Sequence, residues 1–164
     1  MSVIRHFDAS AEERAAYLKQ RRLMAGAPDE AEAEDEEAVE AGQLSTERYA
    51  EMSALEDLIL TVTSGGAGKL SSSHDYPVRG RGGQGVMAMD KAMRGGSLIA
   101  SFPVDPTDQI MLATSTGQSI RTPVGQISFR SRSAGGVRVF KTAPGEEVVS
   151  VARVVEQSED EAEA

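Results

Sequence analysis

DLILTVTSGG, residues 57–66, returns as DQIMLATSTG at residues 108–117. At this constant offset Asp57 falls on Asp108, Ile59 on Ile110, Thr63 on Thr114, Ser64 on Ser115 and Gly66 on Gly117. The match runs on without a gap. Arg79 meets Arg130, Arg81 meets Arg132, and Gly85-Val86 meets Gly136-Val137. A one-residue adjustment then brings Leu98-Ile99 onto Val148-Val149. Short apolar runs alternate with Gly, Ser and Pro throughout: Leu58–Val62, Val86–Met89, Leu98–Val104, Ile110–Thr114, Gln126–Phe129, Val137–Phe140 and Val148–Val155. Runs of four to eight residues between turn signals read as strands. About four strands per unit, repeated at about 50 residues, is the pattern of propeller blades, each of which needs neighbours to bury its apolar surface. The expected fold class is all-β, with two four-stranded blades over 57–104 and 105–155.

The flanks differ from this middle. Ser10-Ala-Glu-Glu13 fits a capping box and predicts a helix to about Met24, stopped by Gly26 and Pro28. A second helix is expected over Thr46–Leu55, where Tyr49, Met52 and Leu55 recur at helical spacing. Between them Asp29–Glu40 is an Ala/Glu/Asp run that predicts a linker. Residues 8–56 thus read as an acidic helical insertion. Met1-Ser-Val-Ile4 resembles Val151-Ala-Arg-Val154, so residues 1–7 are expected to be the last strand of a preceding, missing blade. Glu156–Ala164 reads as a disordered acidic tail.

Of 164 residues, 40% are hydrophobic and 4% aromatic, with no Cys and no Trp. Disulfides, thiolate metal sites and Cys nucleophiles are excluded. No apolar run approaches the roughly 20 residues of a membrane helix. The net charge of −9 conceals a division: residues 1–56 carry −8, residues 57–155 carry +4 and residues 156–164 carry −5. A basic middle between acidic ends is a statement about partners.

The basic residues cluster in Val78-Arg-Gly-Arg-Gly-Gly-Gln-Gly-Val86 and its counterpart Phe129-Arg-Ser-Arg-Ser-Ala-Gly-Gly-Val137. Together with ILTVTSGGAGKLSS, QIMLATSTGQSIRTPV and GGVRVFKTAPGEEVVSVARV, these stretches resemble the C-terminal β-pinwheel of gyrase A, the DNA-cleaving component of a bacterial type II topoisomerase, DNA gyrase. The likeness covers 57–155 and the opening MSVIRHF. The family's Gln-Arg-Arg-Gly-Gly-Lys-Gly box is matched at Arg81, Gly82, Gly83 and Gly85, and departs at Arg79, Gly80 and Gln84. The segment is similar to the degenerate copies of later blades, so the chain is expected to be a distal fragment of such a domain.

The resemblance implies a module that wraps duplex DNA without sequence specificity and supports ATP-dependent negative supercoiling. The implied partners are double-stranded DNA, the remainder of gyrase A, and gyrase B within an A2B2 enzyme. It implies a cytoplasmic, nucleoid-associated place. It implies no catalytic residue and no cofactor in this chain, ATP and Mg²⁺ belonging to gyrase B. Expected DNA contacts are Lys69, Arg79, Arg81, Gly82, Gly83, Gly85, Arg121, Arg130, Arg132 and Arg138, with Lys91, Arg94 and Lys141 adding charge. Chemically, Arg beside Gly suits phosphate, because glycine exposes backbone amides and permits close approach. The alternatives are the equivalent domain of topoisomerase IV and a propeller used for protein contact.

Other signals are weaker. Gly65–Lys69 has Thr63 and Leu70 where a P-loop needs Gly and Ser/Thr. Arg48-Tyr49 copies the pair on which these topoisomerases form their DNA-linked intermediate, but it lies in the acidic insertion. His6 and His74 have no ligand-spaced partners.

Overall fold

The computed structural model describes residues 2–25, 42–90 and 95–155. Among these residues seven strands follow two helices in chain order: α1 (Ala11–Met24), α2 (Thr46–Ala54), β1 (Leu58–Thr63), β2 (Ala67–Ser72), β3 (Leu98–Val104), β4 (Gln109–Thr114), β5 (Ser119–Pro123), β6 (Val137–Arg138) and β7 (Val148–Val154). All named strand pairs are antiparallel. They form a sheet of order β3-β1-β2-β6 and a sheet of order β5-β4-β7.

The repeated residues build the same hairpin twice. Thr63 and Thr114 end their strands. Their carbonyls accept from Gly66 and Gly117, and their hydroxyls accept from the amides of Ala67 and Gln118. Gly66 and Gly117 sit at φ 82° and 87°, which a residue with a Cβ rarely adopts. Both sheets carry a register shift at the same place, between Val62 and Thr63 and between Ala113 and Thr114. The repeat is therefore a repeat of turn chemistry and bulge as much as of apolar pattern.

Strand alternation then decides the packing. Leu60 lies opposite Leu70 and Phe102, so these three share one face of the first sheet. Leu112 lies opposite Ile120 and Val151, and these share a face of the second. The two faces meet in one core of Leu60, Val62, Leu70, Val104, Ile110, Leu112, Val124, Ile127, Phe140 and Val148. Leu60 corresponds in the repeat to Met111, which lies on the other face of the second sheet and is 41% exposed. The front of one blade thus packs on the back of the next, as in a propeller.

Strand inventory departs from expectation in four places. β2 and β5, which read AGKLSS and SIRTP, are polar and carry no apolar run, yet they pair fully with β1 and β4. Val86–Met89 forms no strand. Gln126–Phe129 gives the end of a 3₁₀ turn and one isolated parallel bridge, Phe129 to Leu70. The fourth strand of the first sheet is β6, from the second repeat, which pairs Val137 and Arg138 with Gly68 and Ala67. The second sheet has three strands, so the boundary at residue 105 does not separate self-contained blades.

Residues 2–7 form no strand. The segment runs beside β3, where the Ser2 hydroxyl donates to the Ser101 carbonyl. Arg5 donates from its amide and Nε to the Asp57 carboxylate, at 2.9 and 2.8 Å. In the other repeat Arg153 pairs with Asp108. Arg5 therefore does for the first blade what Arg153 does for the second, where β3 offers only Pro103 at the matching position. The useful alignment of this segment is Ser2-Val3-Ile4-Arg5 with Ser150-Val151-Ala152-Arg153.

The first helix begins at its predicted cap and the second at its predicted first residue, Thr46. Ser10 and Glu13 close the reciprocal capping box, and Ser45 accepts from the amide of Arg48. Both pack on the 3₁₀ turn at Ser73–Asp75 that follows β2. Tyr17 is fully buried, stacked on Tyr49 at 4.9 Å and edge-on to His74 at 5.1 Å. His74 Nε2 donates to the carbonyl of Met52, itself fully buried. Arg48 bonds Glu13, Glu51 and the carbonyl of Asp8. The Asp29–Glu40 linker, Lys91, Arg94 and the acidic tail lie outside the described residues. No helix among the described residues is long and apolar enough to cross a membrane.

Candidate nucleic-acid interface

The cationic side chains divide by what packs on their backbone. Residues 77–85 are exposed, including Arg79 and Arg81. Gly82 and Gly85 take φ of 79°, which turns the loop, and neither has an atom within 4 Å of where a Cβ would stand. Gly83 is similarly open, with its nearest neighbour at 3.6 Å. Peptide groups here are accessible to a ligand, as the Arg-Gly composition suggests.

The second segment, 129–138, is held along β2. Leu70 donates its amide to the Ser128 carbonyl, and the Arg130 amide donates to the Leu70 carbonyl. Val139 and Phe140 both donate to the Gly66 carbonyl. Arg130 is consequently half-buried and Arg132 buried, while Arg138 and Lys141 remain exposed. Arg121 is exposed on β5, opposite Met111 on the open face of the second sheet.

Two expected phosphate contacts are corrected by this geometry. Lys69 is fully buried. Its ammonium donates to the carbonyls of Ser131 (2.8 Å), Ala134 (2.6 Å) and Arg132. Desolvation pushes its pKa down to about 8, with Asp75 drawing it up and Arg132 and Arg130 drawing it down. Arg132 donates its amide to the Asp75 carboxylate, Nε to the Asp75 carbonyl, and Nη1 to the Met87 carbonyl. Neither side chain faces solvent. Arg81, the repeat partner of Arg132, is exposed because no strand lies against its segment among the described residues.

Arg132 nevertheless matters to the surface. It bonds both ends of the loop that carries Arg79 and Arg81, at Asp75 and at Met87, and it belongs to the segment that carries Arg138. The two arginine-bearing segments are thereby tied together. Asp75 is the member that sequence reading missed. It falls on Gln126 in the repeat, so the internal comparison shows no shared carboxylate there. Among the described residues no group of three or more His, Asp or Glu is placed to hold a metal ion.

Two stacked antiparallel blades, a shared front-to-back core and an exposed Arg-Gly loop define a β-propeller-type module with a cationic loop at its surface. The family profile described as "DNA gyrase C-terminal domain, beta-propeller" matches residues 57–105 and 108–154, one match per repeat. The chain belongs to that family. It is 44% identical over 95% of its length to the gyrase A protein of Granulibacter bethesdensis, and 36% identical over 99% to that of Rickettsia bellii. It spans 18% of the length of each of these relatives. A solved DNA gyrase A C-terminal domain superposes with a TM-score of 0.56 at 25% identity, covering 61% of this chain and 34% of that one. The C-terminal domain of DNA topoisomerase IV shares the fold, with a TM-score of 0.54 at 23% identity over 60% of this chain and 31% of that one. The Rickettsia and Granulibacter matches extend through the helical insertion, which the family profile leaves out.

Proposed function

We propose that this chain binds duplex DNA as part of the wrapping domain of a gyrase A protein. On this reading it acts within an A2B2 enzyme at the nucleoid, in the cytoplasm. It supports ATP-dependent negative supercoiling, with the nucleophilic Tyr, ATP and Mg²⁺ all held outside this chain. The observation that carries the reading is the pairing of two exposed cationic elements, the Arg79–Arg81 loop and Arg138, through the buried Arg132. Guanidiniums held at a fixed separation on a blade edge neutralise successive phosphates. Contacts to phosphate confer affinity and little base preference. With only Tyr76, Phe102, Phe129 and Phe140 as aromatics in the β region, and none of these exposed, base stacking on single strands has no platform among the described residues.

Binding to a mixed-sequence duplex, measured against salt, tests this. Arg79, Arg81, Arg138 and Lys141 neutralising one phosphate each gives a log–log slope of about −3 to −4. Replacing both Arg79 and Arg81 by Ala flattens the slope by about 2. No binding at about 50 mM salt, or a slope indifferent to that double substitution, refutes the assignment.

A further inference from the structure

We propose that Lys69 is the positioning residue of this interface: its buried ammonium grips the 131–134 turn of the second repeat, and so sets where Arg130–Arg138 stands relative to the Arg79–Arg81 loop. The inference rests on the DNA-binding reading above for its functional consequence, and on the geometry alone for the grip itself.

An ammonium has three donors and no acceptor. All three donors of Lys69 go to backbone carbonyls of one turn, those of Ser131, Arg132 and Ala134. The ladder along β2 explains why a side chain is needed there. The incoming segment is hydrogen-bonded to the strand at Ser128 and Arg130, and again at Val137–Phe140. Between Arg130 and Val137 it leaves the strand edge, and its carbonyls no longer meet strand amides; that of Ser131 also takes the Ala134 amide within the turn. Lys69 reaches from the strand to meet them. The same turn carries Arg132, whose bonds to Asp75 and Met87 hold the other arginine loop. In the second repeat the position of Lys69 is Ile120, on β5, which has no strand on its far edge among the described residues. The lysine thus accompanies the joint between repeats rather than the strand type. The charged groups facing it are Asp75, Asp90, Arg130 and Arg132.

Lys69→Met in the full 164-residue chain keeps the aliphatic stem and removes the ammonium. Amide hydrogen exchange is expected to quicken about tenfold or more at Arg130, Arg132, Ala134 and Val139, with β4 and β7 unchanged. Acceleration spread evenly over both sheets is what simple destabilisation gives, and it overturns the proposal, as does unchanged exchange in 130–139. Duplex affinity is expected to fall several-fold, and Arg138→Ala is expected to cost much less in the Lys69→Met background than in the wild type. Full additivity of the two overturns the functional half. If the wild-type chain binds no duplex, the DNA reading fails by itself, and the exchange data decide whether the grip exists. Should Lys69→Met not fold, an NMR titration of the wild type replaces it. The 131–134 amide shifts are expected to follow the Lys69 ε-methylene signal near pH 8, and amides that do not follow it overturn the grip.

Discussion

Arg81 and Arg132 occupy one position of the repeat and do different work. Arg81 stands in solvent; Arg132 is buried and fully engaged with Asp75 and Met87. Their substitutions should separate cleanly. Arg132→Ala keeps the amide bond to the Asp75 carboxylate but takes the guanidinium away from the carbonyls of Asp75 and Met87 and from its ion pair with Asp75, and is expected to cost about 3 kcal/mol in urea unfolding. Arg138→Ala, on an exposed side chain, is expected to leave the urea midpoint within about 0.5 kcal/mol while flattening the salt slope of DNA binding by about 1. A stability loss for Arg138→Ala equal to that of Arg132→Ala would contradict this division. Glu146 supplies a pH test at the same scale. Its carboxylate accepts from the amide of Ala143 and the hydroxyls of Thr114 and Thr116, and the first of these leads in holding its pKa below the usual range. A depressed folded-state value means stability present above the unfolded pKa and lost as pH falls through the folded one. Urea midpoints of the wild type should therefore drop below about pH 4.3, and Glu146→Gln should show a shallower drop.

At the scale of elements, the helical insertion is docked through aromatic rings, one of them under a guanidinium. Composition alone suggests a solvated acidic face. The structure instead buries Tyr17 between Tyr49 and His74, and carries Arg21 over the Phe129 ring at 4.4 Å. Tyr17→Ala is expected to cost about 3–5 kcal/mol, as other buried aromatic truncations do. Its signature is local: exchange protection is lost in α1 and α2 and kept in β4. Protection retained in both helices would mean that they hold by caps and ion pairs alone. The cap of α1 was legible beforehand, because Ser10 and Glu13 stand at the spacing that a reciprocal pair requires. The docking was not, because Tyr17 meets His74 across 57 residues of chain. Strands β2 and β5 were hidden for a related reason. As second arms of hairpins they are specified by turn residues and backbone pairing, and apolar alternation scarcely marks them.

On the scale of the molecule, the two sheets share one core and the second repeat lends β6 to the first sheet, so they should not melt apart. Leu60→Ala and Leu112→Ala lie on opposite sides of that core, and each is expected to cost about 2–5 kcal/mol. Each should lower a single transition seen alike by circular dichroism and by exchange in both sheets. Two separated transitions would show that the blades are independent and that β6 is a weak tie. The same loan of β6 makes the proposed interface a property of the blade pair: Arg138 belongs to the second repeat in sequence and to the first sheet in space.

What the amino-acid order settled alone is whatever depends on near neighbours: the twofold repeat, the Thr-Ser-x-Gly hairpins, the helix caps and the concentration of arginine beside glycine in two matched segments. Those features recur because each is closed within a few residues. Which of the arginines meet solvent was decided by tertiary structure. The segment around Arg132 is anchored to β2 on either side, at Arg130 and at Val137, while among the described residues no strand lies against the segment around Arg81. Identical residues with different neighbours acquire different burial, and burial is a property of what packs against a segment rather than of the segment itself.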